Sequence, residues 1–171
     1  MQQAELDGLV LAAQSGNADA FGALVQHLQP GLLRFSYHIC QDPNMAKDAV
    51  QEVWLQCSRT LRRLEDPRAL KSWLHRAVRW RTLDQLRKQQ KEKDNVSCSD
   101  EPLLAHQVED SALSELEEKM QLLPDADRQA LHLFYLEDLS IKEISAVLGI
   151  PSGTVKSRLN RARNCLKATL E

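Results

Sequence analysis

The sequence predicts an all-α protein: two small helical domains joined by a flexible acidic linker, the C-terminal domain containing a helix-turn-helix. Three observations carry this. Apolar residues recur at helical spacing on both sides of a polar stretch, and no strand alternation appears anywhere. The stretch between them, "KEKDNVSCSDEPLLAHQVEDS", is polar, without aromatics and only weakly periodic. Charge is segregated along a chain of 171 residues whose net charge is only -2.

The charge map divides the chain. Residues 59–93 hold twelve Lys/Arg against four Asp/Glu, and residues 140–171 hold six against two. Between them, residues 94–127 hold one cation against ten anions. Two basic blocks flanking an acidic one predict two contact points on a polyanion. The spacing predicts helices over 5–28, 44–63, 69–90, 112–122, 125–136, 140–149 and 152–169. The expected boundaries are an N-terminal domain over 1–93, a linker over 94–111 and a C-terminal domain over 112–171.

The end of the chain is the most informative. "LSIKEISAVLG" places Ile141, Ile144, Val147 and Leu148 on one helical face, with Ser140 and Glu143 spaced as a capping box and Gly149 as a left-handed stop. "IPSGTVKSRLNRARNCL" then restarts at Pro151 and Ser152. Its stripe is Val155, Leu159, Ala162 and Leu166, while Lys156, Ser157, Asn160, Arg161 and Asn164 lie opposite. Two short helices about a tight turn, the second rich in hydrogen-bond donors, form the arrangement that seats a helix in the major groove.

The other basic block, "LKSWLHRAVRWRTLDQLRKQQK", puts Leu70, Trp73, Leu74, Ala77 and Trp80 on one side and Lys71, Arg76, Arg79 and Arg87 on the other. Tryptophans among arginines suit unpaired bases, although Trp at helical spacing is more often core. Trp73 reads as core, and Trp80 stays open between core and base stacking. In "MAKDAVQEVWLQCSRTL" the stripe is Ala46, Ala49, Val50, Val53, Trp54 and Cys57, with Asp48, Gln51, Glu52 and Gln56 around it. Trp54 either packs with that stripe or belongs to a protein-binding surface.

Other function classes find little support. There is no apolar run of membrane-spanning length, and the N-terminus, carrying Glu5 and Asp7, lacks the basic leader of a secretory signal. Cys40, Cys57, Cys98 and Cys165 stand singly, as reduced cytoplasmic thiols do, with Cys40 and Cys57 expected in or near a core. His75, His106 and His132 are isolated in sequence, and no phosphate loop, nucleophile elbow or metal-ligand spacing appears. Neither an enzyme nor a cofactor or metal is expected.

Taken together, "AKDAVQEVWLQ", "SWLHRAVRWRTLDQLRK" and "LLPDADRQALHLFYLEDLSIKEISAVLGIPSGTVKSRLNRAR" resemble the extracytoplasmic-function class of bacterial RNA polymerase sigma factors. The resemblance covers nearly the whole chain except the linker. It implies a cytoplasmic promoter-recognition subunit whose partners are core RNA polymerase, promoter DNA and, in some cases, an anti-sigma factor. It matches Asp48, Gln51, Glu52 and Trp54 to the polymerase-binding helix. It matches the loop from Arg63 to Arg68 to the segment that captures a flipped −10 base, and Lys71, Arg76, Arg79, Trp80 and Arg87 to the helix along the melted strand. It matches Ser152, Thr154, Lys156, Ser157, Arg158, Arg161 and Arg163 to the −35 recognition helix. The chain departs from the family at Trp80, where Asn is usual, and at Lys47 and Ala49, where "AEDLVQE" is usual. A response-regulator output domain shares the C-terminal motif loosely but needs a receiver of parallel strands, which residues 1–90 do not offer. A sigma-like scaffold that binds polymerase or a regulator without reading DNA is the alternative from another class.

Overall fold

The computed structural model describes residues 2–95 and 118–170, and every described regular element is helical. The linker expected from residue 94 lies, beyond Asn95, outside the described residues, as does most of the helix expected over 112–122.

The N-terminal half is a four-helix assembly: α1 Gln3–Gln14, α2 Ala18–Cys40, α3 Pro43–Thr60 and α4 Leu70–Asn95. The single helix expected over 5–28 is in fact two. Gly16 adopts φ 95°, and the Asn17 side chain accepts from the Ala20 amide to start a new helix. The second helix then passes the expected stop at residue 28. Pro30 sits on an exposed face of α2, while Leu24, Leu28, Leu32 and Phe35 are buried. Packing along that stripe outweighs the hydrogen bond that proline removes. Asp42 caps α3 by accepting from the Asn44 and Met45 amides, with Pro43 in the first turn. Within the core, the Ser36 hydroxyl lies 2.7 Å from that of Thr82, which donates to the Val78 carbonyl, so α2 and α4 are joined by a satisfied polar pair.

The C-terminal half consists of α5 Asp125–Leu131, continued by a π-helical turn His132–Leu136, then α6 Ile141–Leu148 and α7 Ser152–Leu170. It does not stand apart from the first half. α4 packs on α6, and α2 on α5 and the π-helical turn. Leu24, Phe35, Leu74 and Val78 share one continuous apolar cluster with Leu133, Ile144, Val147 and Leu148. The cysteines follow expectation, Cys57 buried and Cys40 half-buried; burial pushes the Cys57 thiol up to about 12, which leaves it inert. No helix among the described residues is long and apolar enough to cross a membrane.

Candidate nucleic-acid and polymerase interfaces

The helix-turn-helix is built by local chemistry. Ser140 caps α6: its hydroxyl accepts from the Glu143 amide at 3.2 Å, and the Glu143 carboxylate accepts from the Ser140 amide at 2.8 Å. Gly149 ends the helix at φ 66° and ψ 36°, a conformation that costs a residue without Cβ nothing. The Ser145 hydroxyl donates to the Ile150 carbonyl, closing the turn from inside. These bonds fix the direction in which α7 leaves.

On α7, Val155, Leu159 and Ala162 are buried, which turns Ser152, Lys156, Ser157 and Arg163 to solvent with Thr154 and Arg158 half-exposed beside them. Five of the seven −35 candidates therefore lie exposed or half-exposed in the first two turns of this helix, with Arg163 exposed further along it. Arg161 is different. Its guanidinium makes a two-point ion pair with Asp127 of α5, Nη2 to Oδ1 at 2.8 Å and Nε to Oδ2 at 3.2 Å. Hydrogen bonding to that carboxylate raises the Arg161 pKa further above its ordinary range. Asp127 was not singled out in the sequence.

The −10 candidates divide the same way. Arg63, Arg68, Arg76, Trp80 and Arg87 are exposed. Arg68 folds back on Asp66, Nε to Oδ1 and Nη2 to Oδ2 both at 3.1 Å, while the Asp66 side chain also accepts from the Arg68 amide. Trp80 is 60% exposed, with the Arg81 guanidinium 5.4 Å from its ring centre. Trp73, by contrast, packs against the main core, as its spacing predicts. Lys71 and Arg79 face the C-terminal half. Lys71 donates to the Glu137 carbonyl, and Arg79 Nε donates to Gln129 Oε1 at 2.8 Å. Burial, then the positive charges of Arg158 and Arg87, lower the Arg79 pKa. The two basic blocks thus approach one another, which linear sequence could not show.

On α3, Asp48, Gln51 and Glu52 are exposed along one face. Trp54 is not. It is 7% exposed and meets Phe21 edge-on at a centroid distance of 5.9 Å. The alternative in which Trp54 displays its ring on a protein-binding surface is corrected: the stripe it continues is core, so it supports the face from beneath. Two residues the sequence reading passed over complete that face. Leu55 is exposed, and Arg81 Nε reaches Glu52 at 2.8 Å, forming with Gln56, Arg59 and Thr60 a shallow groove between α3 and α4. Leu55 was detectable as the one leucine that falls off the apolar stripe; Arg81 was not, because the contact is long-range.

Comparison with known proteins identifies the family of both halves. Residues 24–92 match the family described as Sigma-70 region 2, and residues 113–166 the family described as Sigma-70, region 4. The ECF RNA polymerase sigma factor SigM of Bacillus subtilis is 34% identical over 79% of this chain and 85% of its own. SigW of the same organism is 28% identical over 92% of each chain. Among solved structures, the sigma factor RpoE of Bartonella quintana, in complex with the anti-sigma factor NepR, is 26% identical over 88% of this chain and 96% of that one, with a TM-score of 0.69. CnrH, in complex with the cytosolic domain of CnrY, shares the fold at a TM-score of 0.68 over 96% of each chain, at 23% identity. The chain belongs to the ECF RNA polymerase sigma factors, the subunits that direct core polymerase to specific promoters.

Proposed function

We propose that the two halves divide promoter recognition as the sequence expects, a domain over 1–93 serving the −10 element and the polymerase and a domain over 112–171 serving the −35 element, with 94–111 between them. The observation that carries this is the exposed start of α7. Behind the Gly149 turn, Ser152, Lys156 and Ser157 face outward while Val155, Leu159 and Ala162 hold the helix from below. A helix anchored on one side, offering hydroxyl and ammonium groups on the other, suits base edges and flanking phosphates. Thr154, Arg158 and Arg163 extend that surface, and Arg161, bound to Asp127, sets the angle of α7 on α5.

In the same reading, Arg63, Arg68, Lys71, Arg76, Arg79, Trp80 and Arg87 follow the melted −10 strand. Asp48, Gln51, Glu52 and the buried Trp54 beneath them form the polymerase face. The protein acts in the cytoplasm as a non-catalytic subunit without a cofactor. An anti-sigma factor is its regulatory partner, as the complex of RpoE with the anti-sigma factor NepR illustrates for that relative.

Footprinting of reconstituted holoenzyme tests the division. Core polymerase with this chain should protect an upstream and a downstream block on a cognate promoter. Lys156→Ala should weaken the upstream block alone, and Arg76→Ala with Arg87→Ala the downstream block alone. Protection no different from core polymerase without the chain would refute the reading.

A further inference from the structure

Arg81 touches two groups at once. Across from it on α3, the Glu52 carboxylate lies 2.8 Å from its Nε. Beside it on α4, its guanidinium lies 5.4 Å from the centre of the Trp80 ring, within cation–π range. The helix does not impose that second contact. Successive helical residues point about 100° apart and do not face each other, so the indole and the guanidinium have turned toward one another. The ring still stays 60% exposed. Asp84, the acid near Arg81 on its own helix, is taken by Lys88 at 2.9 Å. Glu52 is therefore the anchor. An ion pair this exposed, 31% at Arg81 and 47% at Glu52, adds little to folding. Its consequence is geometric: a planar guanidinium bonded through one edge is held in one orientation, and here that orientation sets it over Trp80.

We propose that Arg81 is a positioning residue for strand recognition: held by Glu52, it backs one face of the Trp80 ring and leaves the opposite face for a single unpaired base. The inference rests on the assignment of Trp80 to the melted strand made above. Three considerations support it. The first is placement. Trp80 comes one turn after Arg76 and two turns before Arg87, and all three are exposed, so the ring stands in line with cations suited to phosphates. Arg81 is instead turned to α3, where it reaches Glu52, so it acts on a base through the ring and not beside it. The second is order. A large side chain on an open helix face loses freedom when it binds, and a ring already seated against a fixed guanidinium has lost much of that freedom beforehand. The third is the count of free faces. With one face covered, the indole offers a single stacking surface, which suits one base turned out of a strand and not insertion between two.

The first measurement uses the free full-length chain labelled with 5-fluorotryptophan, whose three tryptophans are Trp54, Trp73 and Trp80. The Trp80 fluorine resonance, assigned by its loss in Trp80→Phe, should move in Arg81→Ala and in Glu52→Ala by more than those of Trp54 and Trp73, which report the core. Glu52 also lies on the polymerase face, so its variant is read only in the free chain. The second measurement uses holoenzyme assembled with saturating core polymerase and a forked promoter with an unpaired −10 strand. Arg81→Ala should weaken binding about twofold to fivefold, the size of an exposed cation–π contact. The same substitution should cost nothing further in a Trp80→Ala background. The salt dependence should stay as in the wild type, whereas loss of a phosphate contact would reduce its slope by about one unit. A Trp80 resonance unmoved in Arg81→Ala overturns the positioning role, and one moved by Arg81→Ala but not by Glu52→Ala overturns the anchor. Equal losses with and without Trp80, or a reduced salt slope, would show that Arg81 meets the strand itself and overturn the proposal. If Trp80→Ala weakens binding and Arg81→Ala does not, the assignment of Trp80 stands and the positioning role falls. If Trp80→Ala binds as the wild type does, that assignment falls and the role in strand recognition with it, while the fluorine signals report the contact with Arg81 separately.

Discussion

Arg161 on α7 and Asp127 on α5 hold each other at two points, with Asp127 only 5% exposed in its side chain and Arg161 66% exposed. The pair couples the recognition helix to the helix behind it, and losing the guanidinium leaves a buried carboxylate without its partner. Lys156, one turn nearer the start of α7, is exposed and carries no such duty. Arg161→Ala should therefore lower the melting temperature and promoter-dependent transcription together. Lys156→Ala should leave melting unchanged and reduce transcription roughly tenfold, as loss of a base contact worth about 1–3 kcal/mol would. Calorimetry and run-off transcription on the same preparations separate the two roles; equal melting temperatures would show that Arg161 is not a positioning residue.

Trp54 gives a different expectation. Because it is buried against Phe21, Trp54→Ala should cost about 3–5 kcal/mol of stability, and Trp54→Phe much less. Urea denaturation measures both. Polymerase assembly by the alanine variant should recover when the protein is stabilised by lower temperature within its folded range. Normal stability combined with defective assembly would instead place the ring itself in the interface.

How much of this was legible in sequence depends on how far apart the interacting groups lie. Ser140, Glu143 and Gly149 define α6 within ten residues, and both ends were read to within one residue of where they fall. The break at Gly16 and Asn17 was equally local, yet a continuous apolar pattern on both sides concealed it. The continuation of α2 through Pro30 was not local. It depends on Leu32 and Phe35 finding partners on α4 and in the C-terminal half. The surroundings of the buried Glu137 carboxylate bring together Gly31, Lys71, His75 and His132 from three separate stretches, each unremarkable alone. His75 and His132 read as isolated in sequence because only folding brings them to one carboxylate. The exposed start of α7, by contrast, follows from periodicity, but which of its arginines is already engaged does not.

Trp80 is open to solvent on the same helix as Arg76 and Arg87, with Arg81 over its ring. An exposed ring contributes little to folding, so Trp80→Ala should leave stability within about 0.5 kcal/mol of the wild type. If the ring stacks on an unpaired base, its loss should weaken binding of the holoenzyme to a forked promoter by about 1–3 kcal/mol and leave fully duplex upstream DNA unaffected. Trp80→Phe should recover part of the loss, and Trp80→Asn, which restores the residue usual in the family, should report whether this chain uses stacking in place of a hydrogen bond. Equal binding of forked DNA by the wild type and Trp80→Ala would remove the tryptophan from strand recognition.

His38 supplies a pH dependence whose sign can be worked out. It lies at the boundary of the two halves, facing Arg34 on its own helix and His132 and Arg128 from the C-terminal half; the His38 and His132 ring centres are 5.0 Å apart. Burial, followed by the positive charge available on His132, Arg128 and Arg34, lowers the His38 pKa from 6.5 to about 3. Burial lowers that of His132 as well, opposed by Glu137 and reinforced by His75 and Arg34. As the pH falls below 6.5, the unfolded chain takes up protons that these folded histidines refuse, so stability is lost on acidification. The window for His38 runs from about 6.5 down to about 3. Glu137 adds to the loss only at lower pH: burial raises its pKa, but its pairing with His132 and His75, at 3.4 and 3.3 Å, outweighs this and holds the carboxyl below its ordinary 4.5. Its contribution is therefore complete above that value and declines beneath it. Between pH 7.5 and 5.5 the wild type should lose about 1–3 kcal/mol, since each histidine contributes at most about 1.4 kcal/mol per pH unit. His38→Asn should lose about 1 kcal/mol less over the same interval, whatever its absolute stability. Urea midpoints measured every half pH unit give both slopes. Parallel curves for wild type and variant would show that His38 does not titrate differently on folding, and a wild-type curve flat to pH 5.5 would extend that conclusion to His132.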